Sequence, residues 1–373
     1  MLFKQRCYSL LVGLASSPLG LASISSSEST TTVSVSECAD LAELNAALQI
    51  SDVTAEFERT VSCADWTTVT DYVIGGVGDA DGYELTVVAI DTDESGVGRG
   101  QLDLINIRFD VWSSLIVVPD VAFGSSDPTY VQEEVDGGAL SVQYDGHALF
   151  QGDASFTDIH VDGDGGAWET FQGSITVMGR ATFRDCSSTG SGGAVSTGWG
   201  NLEFRGGITA TDNHSVTAGG ALYNYGYVKV GGAKSYFKRN NSWDGAAVYN
   251  GLNTLDEIGF LTFKKKVVFV DNGDDEATWS TQVSTRTTLT FKKYVKFVKG
   301  RLGLYLARDG FTSFEKGGIF KNCSDGGIFV SHTAAGLTMD VDLKFEDNSG
   351  GDSGCSDIAY GAQYASEDTV CGP

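Results

Sequence analysis

Through the middle of the chain, apolar and polar residues alternate in runs of four or five, and each run ends in a turn rich in Gly, Asp or Asn. Ala221–Tyr225, Tyr227–Val230 and Lys234–Lys238 are three such runs in succession. A period of two sends one face of each run inward and the other outward, as in a half-buried strand. Nothing between the runs has the length or the period of a helix.

The runs recur. Phe156-Thr157-Asp158-Ile159, Phe183-Arg184-Asp185-Cys186, Ala210-Thr211-Asp212-Asn213, Phe237-Lys238-Arg239-Asn240, Phe269-Val270-Asp271-Asn272, Phe297-Val298-Lys299-Gly300, Phe320-Lys321-Asn322-Cys323 and Phe345-Glu346-Asp347-Asn348 are versions of one phrase. They start 27, 27, 27, 32, 28, 23 and 25 residues apart. A second phrase keeps the same beat, from Gly137-Gly138-Ala139-Leu140 through Gly192-Gly193-Ala194-Val195 to Gly326-Gly327-Ile328-Phe329. Self-similarity at such a period marks a solenoid, a propeller or an array. Three strands per turn of about 27 residues predict an all-β fold, a right-handed parallel β-helix, with regular repeats over residues 138–354.

Each recurring residue then acquires a role. One Phe per coil should form an interior stack about 4.8 Å apart. Three residues on, Asn213, Asn240, Asn272 and Asn348 are expected to take left-handed backbone and to bond the same amide one coil away. The Gly pairs supply the next sharp turn.

Ahead of the repeats, residues 37–52 read as a short amphipathic helix. Leu41, Leu44, Ala47 and Leu48 lie on one face and Ser36 precedes it as N-cap. Such a helix would cap the unpaired edge of the first coil. Residues 53–137 hold strand-like runs at Glu84–Ala89, Leu102–Phe109 and Leu115–Val118, read as irregular early coils or else as a separate β domain. Residues 355–373 would close the far end.

Lys4 and Arg6, then an apolar run to Leu21 and a small residue at Ala22, make residues 1–22 a secretory signal peptide. A membrane anchor fits less well, because the apolar run is short and Pro18 breaks it; no later stretch has the length of a membrane span. Residues 23–36 form a Ser/Thr-rich leader. With Gly at 48, Pro at 4 and a net charge of −24, the composition suits many tight turns in a secreted, extracellular or cell-surface protein and argues against nucleic-acid binding.

An oxidising compartment makes the cysteines informative. Six remain beyond the signal, which allows 15 pairings. Cys186 and Cys323 share a place in the phrase five coils apart, roughly 24 Å at the coil rise and too far for a disulfide. They should be free and buried, leaving Cys38–Cys63 and Cys355–Cys371 as clips at the two ends.

The Phe-x-x-Asn and Gly-Gly-Ala-(Val/Leu/Ile) phrases resemble the repeats of chlamydial polymorphic outer-membrane proteins, and more broadly the chain looks like the pectin-lyase-like β-helix superfamily. The resemblance covers about Gly138 to Asn348. It implies the fold and an extracellular location; it implies little about chemistry, because that superfamily hosts lyases, hydrolases, epimerases and adhesins alike.

Two constellations are candidates for chemistry. Asp158, Asp185 and Asp212 fall in one row on consecutive coils, where like charges raise one another's pKa unless a cation sits between them. Calcium would be that cation, with Asp162 and Asp164 as further ligands; the plainer reading is that each Asp caps its own turn. Around this row Arg180, Arg184, His147 and His160 could serve a calcium-assisted lyase or epimerase acting on acidic polysaccharide. The second constellation is basic. Between Lys229 and Lys321 lie 16 of the 25 Lys and Arg against 9 acids. Lys264, Lys265, Lys266, Lys292, Lys293 and Lys316 recur at near-repeat spacing and should stack on one sheet as an exposed stripe for an anionic polysaccharide or cell-surface glycan. The expected function is a non-catalytic structural, adhesive or polysaccharide-binding module, with the enzyme as alternative. Of three sequons, Asn213 and Asn240 sit at the stacked inward position, so Asn322 is the expected glycan acceptor.

Overall fold

The computed structural model describes residues 30–71, 83–90, 101–251, 259–273, 281–307, 310–331, 336–339, 342–349, 358–360 and 370–371. The protein is all-β, built from long parallel sheets consistent with a β-helix solenoid, with one short helix near the start. The chain visits three ladders in rotation. His147–Phe150 lies in the first, Ala154–Thr157 in the second and Trp168–Phe171 in the third, and Ser174–Val177 then returns to the first beside His147–Phe150.

Among the described residues the first ladder holds 12 strands, from Thr31–Val35 to Gly336–Met339. Val53–Phe57, Glu84–Ala89 and Ser114–Val117 belong to it in unbroken parallel register, so the strands before residue 137 continue the sheets of the regular repeats. The second and third ladders are joined through one long strand, Gln101–Val111. Its first half pairs with Asp120–Gly124 and its last residues with Leu140–Gln143, with a bend at Asn106 where φ is 56°. A fourth, short ladder of four two-residue strands runs from Val131–Gln132 to His214–Ser215, an element the three-strand reading of each coil does not contain.

Stacking in register decides what fills the centre. Phe156 pairs with Phe183, their rings 5.1 Å apart, and Phe237, Phe269, Phe297, Phe320 and Phe345 continue at 4.6–5.2 Å. A second column, Phe263, Phe291 and Phe314, comes from the first ladder and meets the first column edge-on, as between Phe291 and Phe297 at 87°. Parallel stacking along the axis and edge-to-face contact across it are both favoured ring geometries. Where Val177 stands between Phe150 and Phe204 in the first ladder, the buried Trp168 indole reaches both of those rings and also packs on Phe183.

The asparagines line up one turn further on. Asn213 Nδ2 donates to Asn240 Oδ1 at 2.8 Å, Asn240 Nδ2 to Asn272 Oδ1 at 2.9 Å, and Asn272 Nδ2 to Gln282 Oε1 at 3.2 Å. Left-handed backbone, however, belongs to the residue before the Asn: Asp158, Asp185, Asp212, Arg239, Asp271, Lys299, Asn322 and Asp347 all have φ between 52° and 60°. The asparagine points inward and the left-handed residue outward. The Gly pairs turn as expected, and a Cβ on Gly165 would collide with the Trp168 carbonyl oxygen.

At the start, a 3-10 turn at Cys38–Asp40 leads into the helix Leu41–Ala47, whose buried Leu41, Leu44 and Ala47 cover the first coil. Ser36 does not cap it as an acceptor: Asp40 Oδ2 accepts from the Ser36 and Glu37 backbone N–H groups at 2.8 and 2.9 Å. The end of the Ser/Thr-rich leader is itself a strand, Thr31–Val35, because Val33 and Val35 are buried against the core. Cys38 and Cys63 form a disulfide across a Cα separation of 5.1 Å, while Cys186 and Cys323 are free and buried. Residues 1–29 and Cys355, and with them the signal peptide and the Cys355–Cys371 pairing, lie outside the described residues.

Candidate functional site: a basic corner

Three consecutive turns from the first ladder to the second are the same length. Phe263, Phe291 and Phe314 are in register before the turn, and Val267, Val295 and Gly318 after it. The turn residues therefore stack one for one. Lys264, Lys292 and Glu315 share the first position, Lys265, Lys293 and Lys316 the second, and Lys266, Tyr294 and Gly317 the third. All six lysines are exposed. The stripe thus occupies a corner between two sheets rather than a sheet face, because strand pairing ends at each Phe and the lysines are the turn itself.

The corner is only partly neutralised. Lys264 Nζ lies 3.7 Å from Glu203 and Lys292 Nζ 3.8 Å from Glu315, exposed pairs of little strength. Lys266 Nζ sits 5.4 Å from the Tyr294 ring centre. Lys265, Lys293 and Lys316 have no acidic partner among the described residues. Their shared position leaves three cations spaced by the coil rise of about 4.8 Å.

The aspartates expected to hold calcium divide between two places. Asp158, Asp185 and Asp212 follow the second ladder in one left-handed row. Asp212 is already held by Arg239, which donates from Nε at 2.6 Å and from a terminal nitrogen at 2.5 Å, and Asp185 lies 3.4 Å from Arg184. Burial, then repulsion from Asp212 and Asp158, raises the Asp185 carboxyl. Asp162 accepts from Thr189 at 2.5 Å and Asp164 from the Ser191 backbone at 2.6 Å, both beyond the short strand His160–Val161. Among the described residues no group of three or more His, Cys, Asp or Glu side chains is placed to hold a metal ion.

The residues considered for an enzyme are also dispersed. His147 Nδ1 pairs with Ser174 Oγ at 2.6 Å on the first ladder, and His160 Nδ1 with Ser187 Oγ at 2.7 Å on the short one. Arg180 donates to Thr209 and to the Lys234 carbonyl. The same 27-residue His–Ser neighbour pairing on two ladders is a packing motif of stacked strands.

One arrangement escaped the sequence reading. Glu169, on the outward row of the third ladder, is shut in by the left-handed turns at Gly137 and Gly165 and accepts from Gln143 Nε2 at 2.9 Å. Burial, then the charges of Asp136 and Asp164, pushes its carboxyl up to about 7. Burial likewise raises Asp110, two strands along the same row, and Asp164. A shallow depression of about 700 Å³ on the outer face of the first ladder, lined by Ser114, Ile116, His147, Leu149, Thr176 and Arg205, is a second such feature.

Comparison with protein-family models, curated proteins and solved structures found no match. No described helix is long and apolar enough to cross a membrane.

The two unforeseen features had weak signals in the chain. Glu169 falls on the outward phase of a strand, and only the Gly-Gly turns that cover it make it buried. The first-ladder depression depends on which outward side chains are short, such as Ser114 and Ser174, and that becomes visible only once register is known.

Proposed function

We propose that this protein is a secreted, non-catalytic repeat protein whose basic corner binds an extended anionic polysaccharide or cell-surface glycan, in a structural or adhesive role. The reading takes the solenoid as a right-handed parallel β-helix of three-strand, roughly 27-residue coils, of the pectin-lyase-like kind, with repeats like those of polymorphic outer-membrane proteins. What carries it is the register of Lys265, Lys293 and Lys316, which presents one unpartnered cation per coil along a straight edge. A polymer with a charge on every unit can meet all three at once, and binding then rises by effective concentration rather than by any one strong contact. Long lysine stems suit this use, since the charge stays hydrated while the chain lies against the corner. Asn322, exposed beside the buried Cys323, is the proposed glycan acceptor.

A glycan array probed with the mature protein tests the reading. Hits should concentrate on sulfated and uronic-acid polymers; an array with no acidic hits would leave only a structural role.

A further inference from the structure

The outer face of the first ladder beside the basic corner carries a row of aromatic side chains that solubility does not call for. Tyr227, Phe260, Thr288 and Phe311 are successive partners in register, all outward. The Tyr227 and Phe260 rings stack at 5.2 Å, and Tyr227 and Phe311 are 51% and 40% exposed. Two residues along each strand the outward row is Lys229, Thr262, Thr290 and Ser313, with Ser313 Oγ 3.3 Å from Thr290 Oγ1. Beyond that come Lys264, Lys292 and Glu315, then Lys265, Lys293 and Lys316. Along each strand and into its turn the surface thus passes from rings, through hydroxyls, to cations.

That order matches one chemistry. The apolar face of a pyranose lies flat on an exposed aromatic ring, its hydroxyls pair with Ser and Thr, and its sulfate or carboxylate reaches a lysine. The coil rise of about 4.8 Å is close to the length of one sugar unit in a polymer, so successive units would meet successive strands. A polyphosphate or a nucleic-acid backbone would use the lysines but leave an aromatic row that lies four to five residues from them along the chain without purpose.

We infer that Tyr227, Phe260 and Phe311 form a ring-stacking subsite for a sulfate- or carboxylate-bearing pyranose polymer lying along the solenoid axis, with Thr262, Thr290 and Ser313 between the rings and the basic corner. The inference rests on the basic-corner reading and makes its ligand a sugar. All three aromatic positions are solvent-facing, so their loss leaves the core intact.

The test uses the full mature chain with three probes: heparin, alginate and inorganic polyphosphate, the last a polyanion with no rings. Variants are Tyr227→Ala/Phe311→Ala and Lys265→Gln/Lys293→Gln, each checked for an unchanged melting temperature. The aromatic variant should lose about tenfold in affinity for heparin or alginate and keep its affinity for polyphosphate. The lysine variant should lose affinity for all three. If the aromatic variant binds the sugars like the parent while the lysine variant does not, the stacking subsite is wrong and the basic corner stands. Wild-type binding to polyphosphate but to neither sugar also overturns the subsite. If wild type binds none of the three, the corner reading falls with it.

Discussion

Asn213 Nδ2 donates to Asn240 Oδ1 across 2.8 Å, and neither side chain has any exposed surface. Asn240 donates in turn to Asn272 and to the Ala210 carbonyl. Each amide needs both its donor and its acceptor, so the column tolerates no isostere. Asn240→Asp would set a carboxylate against the Asn272 and Ala210 oxygens in a dry interior. It should destabilise the protein by about 3 kcal/mol or more, read as a fall in urea midpoint.

The same burial separates the sequons. Expressed in a secretory eukaryotic host, the protein should carry a glycan at Asn322 and none at Asn213 or Asn240, as peptide mass spectrometry would reveal. Occupancy at Asn240 would mean that the amide column forms after glycan transfer or not at all.

The aromatic interior predicts a graded response. Phe269 stacks on Phe237 and Phe297 and meets Phe263 edge-on. Phe269→Ala should cost about 3–5 kcal/mol and Phe269→Leu clearly less, since a cavity rather than lost polarity is the cause. Thermal unfolding of both variants gives the comparison.

Much of this architecture was legible in the sequence because stacking copies one residue onto the next coil. A Phe or an Asn that recurs at the repeat spacing must meet itself, so the inward columns at Phe156–Phe183 and Asn213–Asn240 could be read from spacing alone. The outward face obeys no such rule. The lysines were found, but their place on a corner depends on where pairing stops, which is set by the registers at Phe263 and Val267. The left-handed position was misplaced by one residue, because Asn and Asp both tolerate that backbone and only the inward demand of the amide column separates them. The aspartates looked like a ligand set because the arginines that engage them, Arg184 and Arg239, could not be assigned from spacing.

Glu169 gives the protein a pH signature. Its folded-state carboxyl is raised to about 7 from an ordinary value near 4.5, chiefly by burial. The folded chain then holds a proton that the unfolded chain has released, so stability falls as pH rises from about 4.5 to 7 and levels off above. The loss is on the order of 3 kcal/mol for this one group. Glu169→Gln should flatten the melting temperature between pH 5 and roughly 8. A wild-type stability that climbs with pH across that range would contradict the burial of this carboxyl.

The Cys38–Cys63 disulfide ties the capping helix to the long strand Thr60–Asp71 across 25 residues of chain. Reduction should lower stability by about 3 kcal/mol, more than loss of either buried thiol at Cys186 or Cys323 to Ala would suggest from volume alone. Calorimetry with and without reductant would measure it.

The basic corner is tested most directly by charge reversal at one of its positions. Affinity of the protein for heparin would be measured against salt for the wild type, for Lys293→Glu and for Lys344→Glu, another exposed lysine on the last described strand of the second ladder. Affinity should fall steeply as salt rises, Lys293→Glu should abolish most of it, and Lys344→Glu should leave it near wild type. Equal losses from the two variants, or binding indifferent to salt, would contradict a corner-specific site.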